Sequence, residues 1–122
     1  MNLCFILERG IYMANFTEIT SVDQWKEVLG KSKDKAFLLL KHSTTCPVSS
    51  NGYKEFTSFD SPVETYLVKV IENRAVSNEI ASDLDVQHES PQVLLVSNGK
   101  ASWSASHWKI KKAELATVTE SI

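Results

Sequence analysis

The run Ala36-Phe37-Leu38-Leu39-Leu40-Lys41 limits the fold of this chain more than any other segment. Its four consecutive large apolar residues leave no polar face. As a strand it belongs in the middle of a sheet covered by helices on both sides. The flanking sequence supplies those neighbours. Phe16 to Ile19 is a short strand candidate. Ser21 then opens a helix, with Gln24 completing a capping box and Gly30 as its stop signal. Val48 to Phe59 is a second helix candidate, with Tyr53, Phe56 and Phe59 on one side and Gly52 as a local weakness. Thr65 to Ile71 is rich in β-formers, Asn73 to Leu84 has helical periodicity, and Gln92 to Val96 is a fourth strand. Asn98-Gly99 tolerates the positive φ values of a tight hairpin, so Ala101 to Ala105 pairs back antiparallel. Lys111 to Ile122 closes as an amphipathic helix, with Leu115 and Val118 inward. The order βαβαβαββα requires parallel crossovers plus one hairpin, and hence a mixed α/β sheet of about five strands flanked by about four helices.

A chain of 122 residues suits one domain. The net charge of −2 gives no basic footprint for nucleic acid. No apolar run approaches the roughly 20 residues that span a bilayer. Two cysteines, Cys4 and Cys46, permit one disulfide at most. That sparing use points to a reducing cytoplasm rather than a secreted scaffold. The first dozen residues look foreign to the rest. Leu3 to Leu7 is apolar but lacks a basic flank and is shorter than a signal core of about 7–15 residues. Met13-Ala14-Asn15 reads like an ordinary start. Residues 1–14 are therefore expected to be a leader or start-site extension, with a loosely attached terminal strand as the alternative. Residues 15–122 are expected to form the domain. Cys4 carries little functional weight.

Cys46 is different. It follows the buried strand and precedes Pro47, a residue favoured at the first position of a helix. Its sulfur therefore lies at or beside a helix N-cap, where unpaired backbone amides and the helix dipole favour an anion. A thiolate is such an anion, and cysteines at helix heads have pKa values of roughly 3.5–7.5. Part of the rate gained from a larger thiolate fraction is lost because nucleophilicity falls with pKa. A stabilised thiolate is also a good leaving group, which suits a carrier that accepts an adduct and hands it on. Ser49, three residues on, stands one turn away. A second thiol there would resolve a mixed disulfide. A hydroxyl can only donate a hydrogen bond to the thiolate, so an external thiol is required. The alternative reading of Cys46 is a buried structural cysteine.

The string Lys41-His42-Ser43-Thr44-Thr45-Cys46-Pro47-Val48-Ser49, the element order and Ser90-Pro91 before the hairpin strand together resemble the thioredoxin superfamily, and more narrowly its monothiol bacilliredoxins. The likeness runs from about Asn15 to the C-terminus, with Val48 where the family usually has Ile. It implies a thioredoxin-like fold. It also implies a thiol–disulfide oxidoreductase that removes bacillithiol, or a similar small thiol, from oxidatively capped client proteins. Cys46 would be catalytic, with Pro47, Val48 and Ser49 supporting the thiolate. Thr45, Ser90, Pro91 and His88 would bind substrate, with Pro91 cis. Bacillithiol would be a co-substrate with no tightly bound cofactor. A separate flavin disulfide reductase would recycle the bacillithiol disulfide, and neither nucleic acid nor membrane would be a partner.

Several residues have a plainer reading beside the functional one. His42 is a candidate for tuning Cys46, or a strand terminus. His88 is a candidate groove residue, or part of a loop. His107 with Trp108 is expected to pack beside the last helix. Trp25 is expected in the core, and Trp103 and Trp108 in the core or on a partner surface. One cysteine and three scattered histidines are a poor zinc site. The competing functions are a non-catalytic adaptor, a redox sensor switched at Cys46, and an iron–sulfur carrier of monothiol-glutaredoxin type.

Overall fold

A computed structural model describes residues 16–120. The expectations for residues 1–14 and for Cys4 lie outside the described residues. The elements are β1 (Phe16–Glu18), α1 (Val22–Lys31), β2 (Phe37–His42), α2 (Pro47–Ser58), β3 (Glu64–Lys69), α3 (Arg74–Leu84), β4 (Gln92–Ser97), β5 (Lys100–Ser106), a 3-10 turn (His107–Lys109) and α4 (Lys112–Glu120). The strands form one sheet in the order β1-β3-β2-β4-β5. β2 is central, parallel to β3 and antiparallel to β4, and β5 pairs antiparallel with β4.

All six residues of β2 are buried, as an apolar run with no polar face demands. Successive side chains point to opposite faces. Phe37 and Leu39 join Trp25, Val28, Val76 and Ile80 in the core under α1 and α3. Leu38 and Leu40 join Phe56, Val93, Ile110 and Leu115 under α2 and α4. Trp25 is fully buried, and its indole N–H donates to Asp83 at 2.8 Å, tying α1 to α3. Asn98 and Gly99 both have positive φ, 52° and 76°, as the tight hairpin requires.

Two local expectations are corrected. Gly30 does not stop α1, which runs on to Lys31. Ser32 ends it instead, its hydroxyl donating to Leu29 O at 2.6 Å. The same hydroxyl accepts from Gly99 N–H at 2.8 Å, while Ser32 O accepts from Asn98 N–H at 2.7 Å. The helix end is thus fixed by the hairpin turn, a tertiary partner that outweighs a local glycine signal. His42, polar where the preceding run is apolar and so by its chemistry a residue that would leave the sheet, is instead kept as the last residue of β2. It remains paired with Lys69 and its carbonyl accepts from Val70 N–H at 3.0 Å.

Candidate active site

Cys46 is the N-cap of α2, with extended backbone (φ −107°, ψ 123°) and Pro47 at the first helical position. Its carbonyl accepts the first helical bond, from Ser50 N–H at 3.0 Å, and its own N–H donates to Ser43 O at 3.3 Å. Pro47 has no N–H, so the helix ladder leaves the amides of Val48 and Ser49 without a carbonyl partner. Cys46 makes no side-chain capping hydrogen bond, and the residue is half-buried. Thr44, Thr45 and Pro47 are exposed around it and Val48 is half-buried.

Ser49 is fully buried and turned toward the end of β2. Its Oγ accepts from Ser43 N–H at 2.8 Å and lies 2.7 Å from His42 Nδ1. The direct bond from this hydroxyl to the Cys46 thiolate, expected from the spacing, is therefore not the arrangement seen. The i+3 position faces inward, and the nearest donors and acceptors come from β2. His42 is buried and stacks on Tyr53 with ring centroids 4.9 Å apart. Burial pushes its pKa down, as does Lys69, while Glu72 opposes them. His42 thus reaches the helix head through Ser49. Replacing Ser49 by Ala would leave the buried Ser43 N–H and His42 Nδ1 without this partner. The expected loss is about 1–3 kcal/mol of stability in urea unfolding.

The Ser90–Pro91 peptide bond is cis. Gln92 pairs with Lys41, so the next step along the antiparallel register brings Pro91 alongside His42, four residues before Cys46. Pro91 is buried, and its carbonyl accepts from His107 N–H at 3.0 Å. Gly52 is what lets α2 lie this close. A Cβ built there would stand 3.3 Å from Ile110 Cδ1 and 3.6 Å from Pro91 Cβ. The residue read from sequence as a helix weakness is thus a spacer between helix and cis-proline loop. Gly52→Val should push that loop outward and lower the rate of disulfide exchange about tenfold, because small misplacements are costly in a positioned reaction. The test is that rate set beside Cys46 alkylation by iodoacetamide, which should change little.

His88 is exposed, with Nδ1 3.1 Å from Lys41 Nζ and 3.3 Å from Ser77 Oγ. His107 has positive φ and pairs with Glu89 at 3.4 Å. Trp108 lies on the 3-10 turn and is 59% exposed, so it is not a core residue. Trp103 is half-buried against the α2-side core. Local sequence rules assign Gly52 no spacing role and give Lys41 a place in the strand but no role of its own. Lys41 left a signal: it is a charge in phase with the buried residues Phe37 and Leu39. Among the described residues no three His, Cys, Asp or Glu side chains are grouped to hold a metal, and no helix is long and apolar enough to cross a membrane.

A half-exposed cysteine capping a helix at the end of a central strand, with a cis proline opening the neighbouring strand, defines a thioredoxin-fold thiol protein. Comparison with known proteins agrees. A solved structure described as a candidate oxidoreductase with a thioredoxin fold is 34% identical, with a TM-score of 0.77 over 84% of this chain and 92% of that one. A thioredoxin from Malassezia sympodialis (20% identical, TM-score 0.72, covering 93% and 96%) and one from Nicotiana alata (18%, 0.72, 93% and 97%) share the fold. The sequence profile described as "Monothiol bacilliredoxin BrxC" matches residues 17–115. The chain belongs to the monothiol bacilliredoxin family, which supports a thiol redox function.

Proposed function

We propose that this protein removes bacillithiol, or a closely similar small thiol, from mixed disulfides on client proteins, acting in the cytoplasm through Cys46 alone. The Cys46 thiolate attacks the bacillithiol sulfur of the capped client. The client–bacillithiol S–S bond breaks, and its electron pair leaves on the client sulfur, which then takes a proton. Cys46 now holds bacillithiol as its own mixed disulfide. A free bacillithiol thiolate attacks the bacillithiol sulfur of that adduct. Cys46 leaves as thiolate, and bacillithiol disulfide is the product, recycled by a separate flavin disulfide reductase. No tightly bound cofactor takes part.

The observation that carries this reading is Cys46 at the open head of α2 with an inward-facing hydroxyl at Ser49, where a dithiol enzyme would need a second sulfur. Pro47, Val48 and Ser49 shape that helix head. Thr45, Ser90, Pro91 and His88 form the side across which a client would lie. The test mixes the protein with a bacillithiol-capped client and follows both by intact mass. The cap should move to Cys46, and Cys4→Ala should leave the transfer unchanged. Discharge of the client with no adduct at Cys46 would refute the mechanism.

A further inference from the structure

His88, set by the proposed function on the client side, is held by a polar cluster on the α3 face of the sheet whose other members, Lys41, Ser77 and Gln92, the mechanism does not use. Lys41 is fully buried, on the side of β2 that also carries Phe37 and Leu39. Among the described residues no carboxylate pairs with it. Its Nζ lies 3.1 Å from His88 Nδ1, the nitrogen that Ser77 Oγ on α3 approaches to 3.3 Å. Gln92, opposite Lys41 in the register and just after the cis proline, donates from Nε2 to Gln87 O at 3.2 Å. Two neighbouring residues of the central strands thus grip the segment Gln87–His88 from the sheet, and Ser77 grips it from α3. That segment leads directly into Ser90 and Pro91.

An ammonium has only protons to offer, so His88 Nδ1 must accept and the ring proton must sit on Nε2. The other charges near this ring are Arg74, which with burial and Lys41 holds His88 down, and Glu89, which opposes them. Burial brings Lys41 down to about 8, so it remains largely cationic at pH 7. A lone buried cation is costly, and nothing in the packing around Phe37 and Leu39 requires one.

We propose that Lys41 is a positioning residue for disulfide exchange, holding His88 in one tautomer and through it the Ser90–Pro91 segment against which the client disulfide lies. This rests on the reading that Cys46 exchanges disulfides across that segment, but not on which small thiol is the cap.

The experiment compares two reactions of Cys46 in the full chain. Iodoacetamide needs only the sulfur. A peptide whose cysteine is capped with 5-thio-2-nitrobenzoate must also lie along the cis-proline segment: Cys46 attacks the peptide sulfur, a Cys46–peptide disulfide forms, and the cap, the better leaving group, departs with the electron pair as a coloured thiolate. Lys41→Met and His88→Ala should each slow the peptide reaction about tenfold while alkylation stays within about twofold. The double variant should be slowed about tenfold in total, no more than either single variant and not a hundredfold, because the two residues act in series. Ring nitrogen shifts of His88 should report Nε2–H in the parent and a tautomer mixture in Lys41→Met. If Lys41→Met does not fold, His88→Ala alone carries the ratio. An unchanged peptide rate, a parallel fall in both reactions, or fully multiplying losses would overturn the proposal. Success here with no transfer of bacillithiol to Cys46 would overturn the proposed small-thiol substrate and leave the positioning role standing. A parent protein inert to the capped peptide would overturn both.

Discussion

With no free thiol present, the parent protein should uncap one client per chain and then stop, and Cys46→Ser should uncap none. The nucleophile is a thiolate, and a serine hydroxyl stays protonated under the same conditions. The expected fall in the first transfer step is on the order of a thousandfold or more, since the residue removed is the one that forms the covalent intermediate. The stop after one turnover has a separate origin. Ser49 holds the position from which a second thiol would attack, is fully buried, and engages Ser43 and His42. The adduct on Cys46 must therefore wait for an outside thiol. Rapid mixing followed by intact mass should show adduct rising to one per chain, with equal release of client, and adding bacillithiol should restart turnover. More than one client released per chain without added thiol would mean that resolution is internal.

The same site shows what could be read in advance and what could not. Unbroken apolarity from Phe37 to Leu40 settles the central strand, because burial on both faces is a property of the residues themselves. Asn98-Gly99 settles the hairpin and Cys46-Pro47 the helix head for the same reason: the conformational preference is local. The misreadings are all tertiary. Gly30 is a sound helix stop by local rules, yet Ser32 reaches the hairpin turn 66 residues on, at Asn98, and carries the helix past it. Spacing puts Ser49 beside Cys46, but spacing along one helix says nothing of how close the end of β2 comes, and β2 takes the hydroxyl. Gly52 matters because Pro91 and Ile110 arrive against it from distant parts of the chain. Lys41 was legible in principle, since alternation along β2 forces its side chain into the core under α3. What no local rule supplies is its partner, a histidine 47 residues away.

Lys41→Met should stabilise the protein at neutral pH by up to about 3 kcal/mol, and the gain should shrink in alkali. Burial lowers the Lys41 pKa from 10.5 to about 8. At 1.36 kcal/mol per pKa unit that drop corresponds to about 3 kcal/mol. The sign follows from proton counts. Between pH 8 and 10.5 the unfolded chain still holds this proton and the folded chain has released it, so stability rises with pH across that window. Below pH 8 both states are protonated and the full cost of burying the ammonium is present. Methionine fills a similar volume without a charge, so it removes both the cost and its pH dependence, while the bond to His88 is lost and trims the gain. Urea unfolding of both proteins at pH 7 and pH 10 isolates the term. Tyr66, held up to about 12 by burial and by Glu64, cancels in the difference, as do the other groups that Lys41 does not touch. The gap between the variant and the parent should narrow by about 2 kcal/mol on going to pH 10. Parallel curves would show that Lys41 is not a buried cation. A variant that is more stable yet slower with a peptide disulfide would explain why the charge sits there, since a residue kept for packing would not trade stability for rate.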